Sequence, residues 1–146
     1  MAKLEIKFKI VTPERTVFED AVSQVTLPTS EGEITILPNH QSYIASLQSG
    51  EIMFKKDGKE IFLAISGGFI EFHNNALIVL ADTAERAEEI DLERAQTARK
   101  RAQELKLKII STDETDYARV AAMLEKQSVR IKVARKNYTK RGIKID

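Results

Sequence analysis

Leu80-Ala81-Asp82-Thr83-Ala84-Glu85-Arg86-Ala87-Glu88-Glu89-Ile90-Asp91-Leu92-Glu93-Arg94-Ala95 is the stretch in which the chain changes its period. Before it, short apolar runs alternate with polar residues and are separated by turn signals, the pattern of half-buried strands. After it, Leu92, Ala95, Ala98, Ala102, Leu105 and Ile109 recur three or four residues apart, which is one face of an α-helix. Charge changes at the same place. Residues 1–85 carry 12 Asp and Glu against 7 Lys and Arg, whereas residues 86–146 carry 10 against 16. The expectation is a mildly acidic β unit over 1–85 followed by a basic helical unit over 86–146. The second has too little apolar surface to fold as its own globule, so its helices must dock on something.

In the first unit, Leu4, Ile6, Phe8 and Ile10 alternate with Glu5, Lys7 and Lys9, giving a strand with one wet face. Thr12-Pro13-Glu14 turns the chain. Further strands are expected at Thr16 to Phe18, Ala21 to Leu27, Glu33 to Leu37, Ser42 to Leu47, Glu51 to Lys55, Glu60 to Ile65, Phe69 to Phe72 and Ala76 to Ala81. Asp57-Gly58 and His73-Asn74-Asn75 mark tight turns, because these residues tolerate positive φ. About nine short strands at this spacing, with no long crossover, predict an antiparallel sandwich or barrel.

In the second unit the period predicts a helix from about Ile90 to Lys108, roughly 28 Å long. Asp82, Glu85, Glu88 and Glu89 lie just before it and in its first turns, where acids complement the helix dipole. Ser111-Thr112-Asp113 breaks the pattern, and Ser111 with Glu114 has capping-box spacing for a second helix. Tyr117, Ala121, Leu124, Ser128 and Ile131 form its seam, so the two helices are expected to pair as an antiparallel hairpin. Seams of alanine and serine bury little area, and marginal pairing of this kind is what a conformational switch needs.

The chemical inventory is short. There are no cysteines, hence no disulfide or thiol chemistry. No run is long enough to span a membrane, and the first residues lack the apolar core of a signal peptide, so a soluble, non-exported chain is expected. His40 and His73 are the only histidines, and neither has metal-ligand spacing. There is no phosphate-cradling glycine loop and no hydrolytic Ser/His/Asp pattern. These observations argue against an enzyme with its own active site. The charge bias of the second helix is sharper: from Ala118 to Ile145 there are nine basic residues and one acid, Glu125. Arg119, Lys126 and Arg130 share one helical face, which favours an anionic partner: an acidic protein surface, nucleic acid or a nucleotide.

Three stretches carry a resemblance. Ser30-Glu31-Gly32-Glu33-Ile34-Thr35-Ile36-Leu37-Pro38-Asn39-His40, then Ser66-Gly67-Gly68-Phe69-Ile70-Glu71, then Leu80 to Ala87 running into Ile90-Asp91-Leu92-Glu93-Arg94-Ala95 together resemble the epsilon subunit of bacterial F-type ATP synthases. The resemblance spans nearly the whole chain. It implies a β-sandwich of about ten short antiparallel strands followed by the two-helix hairpin. It also implies a non-catalytic subunit of the rotating central stalk, bound to the gamma subunit and resting on the c-subunit ring, which couples proton translocation to ATP synthesis. Such a protein is peripheral on the cytoplasmic face of the bacterial membrane and associates with it only through the complex. Its hairpin either stays folded or extends along gamma toward the catalytic alpha/beta hexamer, where it inhibits ATP hydrolysis.

The resemblance also assigns residues. Glu31, Glu33 and His40 fall in the loop that faces the c ring. Ile90-Asp91 and Arg94-Ala95, with Glu85 before and Arg101 after, match a motif that binds regulatory ATP in many relatives; no cofactor is otherwise required. On the second helix Lys126 and Arg130 stand where those relatives carry arginines. Thr35 replaces a common glycine, and Gln41-Ser42 an Ala-Pro pair. Arg119, Lys126 and Arg130 become the inhibitory basic face. A nucleic-acid-binding adaptor would use the same helix against phosphate, but Tyr117 and Tyr138 are the only aromatics in the helical tail to stack bases.

Overall fold

The computed structural model describes residues 4–109 and 114–140, and the chain divides into two compact units, Met1–Arg86 and Ala87–Asp146. The first unit contains β1 (Ile6–Val11), β2 (Thr16–Val22), β3 (Gln24–Thr29), β4 (Gly32–Ile36), β5 (Tyr43–Lys56), β6 (Lys59–His73), β7 (Ala76–Ala81) and β8 (Ala84–Arg86). They hydrogen-bond in the order β2-β1-β7-β6-β5-β3-β4, with β8 beside β6. Neighbours in the sheet are antiparallel except β1 and β7, which run parallel.

One sheet makes a sandwich because it folds over. β2 and β5 are four places apart in the order, about 19 Å in a flat sheet, yet the rings of Phe18 on β2 and Phe54 on β5 have centroids 4.4 Å apart. Phe8 on β1 completes the cluster, 5.2 Å from Phe54. Phe8 and Phe54, together with Ile6, Ile10, Leu27, Ile36, Ile52, Leu63, Phe72 and Leu77, belong to the buried core, and the half-buried Phe18 packs against it. At the rim, the Lys56 ammonium beside Asp20 holds that carboxyl below its usual range. Being solvated, this pair contributes little stability.

The expected fold class holds, with eight strands among the described residues rather than about nine or ten. Ser42 to Leu47 and Glu51 to Lys55 are one strand, β5, and Glu60 to Ile65 and Phe69 to Phe72 are one strand, β6. The chain bends at these junctions without leaving the ladder. β6 changes neighbour there: Leu63 to Ile65 pair with β8, while Gly68 to His73 pair with β7. The two expected tight turns are present, with positive φ at Asp57, Gly58, Asn74 and Asn75, and each joins strands through a two-residue loop.

The second unit opens with a 3₁₀ turn, Ala87–Glu89, followed by α1 (Leu92–Lys108) and α2 (Glu114–Lys140). Asp91 caps α1, its Oδ1 accepting the Arg94 N–H at 3.0 Å. Ala95 and Ala102 are buried on α1, as the small-residue seam predicts. On α2 the buried positions are Val120, Ile131, Val133 and Ala134; of the expected seam, Ile131 is buried and Ala121, Leu124 and Ser128 are half-buried. Tyr117 is exposed and its ring instead lies under the Lys106 ammonium, 5.5 Å away. A seam of small residues defines rotation weakly, and Val120, one position before Ala121, with Val133 and Ala134 just past Ile131, take fully buried places. The capping pair with Ser111 lies outside the described residues, as do residues 141–146 of the tail.

Candidate functional site

The outward face of β5, β6 and β7 is unusual for a wet face. Antiparallel strands with one solvated side carry polar residues there. Here Ile44 is 75% exposed, Phe69 60%, Leu80 55% and Ile78 40%. Register makes them neighbours: Phe69 pairs with Leu80 on β7, and Glu71 with Ile44 on one side and Ile78 on the other. Val11 of β1, aligned with Leu80, continues the strip. Single exposed apolar residues need no explanation, but a contiguous set across four strands marks an interaction surface. Sequence reading missed it, although Ala76-Leu77-Ile78-Val79-Leu80-Ala81 held the signal: both faces of that strand are apolar.

The loop residues Glu31, Glu33 and His40 divide into two places. Glu31 and Glu33 are exposed on the β3–β4 hairpin, whose turn is held by Thr29: its Oγ1 donates to the Gly32 carbonyl at 2.6 Å and accepts the Glu31 N–H at 3.3 Å. His40 lies past the other end of β4, about 16 Å of strand away. Its N–H donates to the Leu37 carbonyl at 3.1 Å, and its ring meets Phe72 edge-on at 5.8 Å.

On the hairpin unit, a groove of about 660 Å³ is lined by Asp91, Glu93, Arg94, Thr97, Ala98, Arg101, Ala102, Leu105 and Met123. Arg94 and Arg101, two helical turns apart, present guanidinium groups along it, while Ala98, Leu105 and Met123 give it an apolar floor. Ile90 and Ala95 are buried supports. Asp91 is committed to capping, and Glu85 lies on β8 in the first unit, paired in register with Ala64. Lys126 and Arg130 do not line the groove; Arg130 donates from Nη1 to Gln127 Oε1 at 2.7 Å along its own helix. Arg119 is exposed, with Asp116 at 3.9 Å, a weak contact. Among the described residues, no helix is long and apolar enough to cross a membrane, and no group of three His, Asp or Glu is placed to hold a metal ion.

Comparison with known proteins fits this division. Residues 5–87 match the family model described as the ATP synthase delta/epsilon chain beta-sandwich domain, and residues 88–135 that of the long alpha-helix domain of the same chains. The ATP synthase epsilon chain of Desulforamulus reducens is 43% identical over 135 residues, covering 92% of this chain and 99% of the relative. That of Geobacter sulfurreducens is 39% identical over 132 residues, covering 90% and 95%. Among solved structures, a chain of the Euglena gracilis mitochondrial ATP synthase superposes with a TM-score of 0.74 at 24% identity, over 86% of this chain and 79% of that one. A chain of the Tetrahymena thermophila mitochondrial ATP synthase central stalk and c ring does so with 0.61 at 14% identity, over 92% and 99%. At that distance the two structures speak for the fold alone. With both of its units matched in order and close relatives covered almost end to end, the chain belongs to the ATP synthase delta/epsilon chain family.

Proposed function

We propose that this chain is a non-catalytic rotor subunit of an F-type ATP synthase, fixed to the gamma subunit by the outward face of β5, β6 and β7. The observation that carries this reading is the apolar strip of Ile44, Phe69, Ile78 and Leu80, which family membership supplies with a partner. On this reading Glu31, Glu33 and His40 face the c ring, where carboxylates meet basic loop residues. The subunit is thereby peripheral to the cytoplasmic side of the membrane and transmits the rotation driven by proton flow. The hairpin regulates ATP hydrolysis by extending along gamma toward the alpha/beta hexamer, and its basic second helix meets acidic protein rather than nucleic acid.

Phe69→Asp tests the attachment. A charge forced into an apolar interface without a partner is costly enough to weaken binding by roughly a hundredfold. The tagged variant is expected to keep its melting temperature, because the site is exposed, yet fail to copurify with gamma. Copurification at parent levels would refute attachment through this face.

ATP is proposed as the regulatory ligand of the groove on α1, with Arg94 and Arg101 on phosphate and Leu105 and Met123 beneath the base. Binding that favours the folded hairpin raises its stability, by about 2.7 kcal/mol when ATP is a hundred times its Kd. Thermal unfolding of the isolated subunit with millimolar ATP is expected to shift upward, and Arg94→Ala to remove the shift. An equal shift in parent and variant would assign Arg94 elsewhere.

A further inference from the structure

Glu71 interrupts the apolar face. In register it stands between Ile44 on β5 and Ile78 on β7, its side chain exposed. Among the described residues no hydrogen bond or ion pair engages it. The lysines on the same face, Lys7 and Lys9 of β1, are aligned with Ala76 and Ile78 and so lie two strands across, about 10 Å or more at the backbone. Beside Glu71 the surface opens into a depression of about 340 Å³, lined by Ser42, Tyr43, Ile44, Glu71, Phe72 and His73. Ser42 Oγ and His73 Nδ1, 3.0 Å apart, are engaged with each other at one end of it. The depression thus combines an apolar wall with one unengaged carboxylate.

Covering this face removes water from Glu71. A wholly apolar partner would strand the carboxylate, and a buried, unpaired charge is strongly destabilising. A partner that supplies a cation at that point restores the lost interactions, and the alkyl stem of Arg or Lys suits the Ile44 wall. We infer that the depression beside Glu71 receives a basic side chain, Arg or Lys, projecting from an otherwise apolar surface of the protein that covers this face. Glu71 then acts as a selectivity residue, admitting a surface with a cation in register and rejecting one without it. The inference rests on the reading that gamma is the covering protein.

Calorimetric titration of the full chain with purified gamma, at low and high salt, tests it. Glu71→Gln keeps the shape and removes the charge. It is expected to leave the melting temperature unchanged, to weaken binding roughly thirtyfold at low salt, and to flatten the salt dependence. Glu71→Lys should weaken binding further, by placing like charges in contact. If Glu71→Gln binds gamma as tightly as the parent or more tightly, with Phe69→Asp still failing to bind, the face requires only apolar cover; the basic-anchor inference is then overturned while attachment to gamma stands. If Phe69→Asp also binds normally, both fall.

Discussion

Gly68→Ala is expected to cost the sandwich about 4 kcal/mol of stability, a large fraction of what a domain of this size possesses. Gly68 has φ +135, a region that side chains rarely enter, and strain of that kind alone contributes about 1–3 kcal/mol. Space adds to it. A Cβ at this position would come within 2.0 Å of the Leu80 carbonyl oxygen and 2.9 Å of the Ala81 Cα, both main-chain atoms of β7, the strand with which Gly68 pairs. Nothing there can swing aside as a side chain would, so relief requires separating β6 from β7 just where β6 changes partners. Gly58 is the control: its φ is +76 but no atom lies within 4 Å of a Cβ built there, and Gly58→Ala should cost only about 1–2 kcal/mol. Denaturant unfolding of the two variants separates conformation from crowding. Equal losses would mean that the β6–β7 contact yields readily and that the bend is not fixed by close backbone approach.

The same bend marks what the sequence could and could not disclose. Asp57-Gly58 and Asn74-Asn75 are legible because a tight turn needs positive φ within a few residues, a local requirement met by local chemistry. Ser66-Gly67-Gly68 has similar composition and reads like a boundary. Whether a glycine pair ends a strand or bends it depends on the neighbouring strands, and β5 continues alongside through Leu47 and Ser49. The parallel pairing of β1 with β7 is equally non-local. In the hairpin, the α1 seam is legible at Ala95 and Ala102 and the α2 seam at Ile131, but the rotation at the start of α2, which buries Val120 and exposes Tyr117, is not.

Site residues divide along the same line. Arg94 and Arg101 share a groove because seven residues make about two helical turns, a consequence of spacing alone. Lys126 and Arg130 belong to a different helix, and which side they present depends on that rotation. The apolar strip was hidden for another reason. Ile44, Phe69, Ile78 and Leu80 each look like ordinary strand residues, and only register reveals that they are outward and adjacent.

Changing Arg119, Lys126 and Arg130 together to Ala is expected to raise ATP hydrolysis by the assembled complex about tenfold at low salt. The estimate follows from three charge contacts of about 0.5 kcal/mol each, enough to shift an equilibrium between extended and folded hairpins by that factor. The ion pair that Arg119 makes on this face is weak: it reaches Asp116 at 3.9 Å while largely exposed. Alanine is a better helix former than the residues it replaces, so α2 should persist. Assembly is spared, because the proposed gamma contact lies on β5, β6 and β7. Raising salt screens the same attraction in the parent, so its hydrolysis should climb toward that of the variant and the ratio should fall. A variant that remains bound to the complex with parent hydrolysis at every salt concentration would place the inhibitory contact elsewhere on the hairpin and leave this basic face as solvated surface.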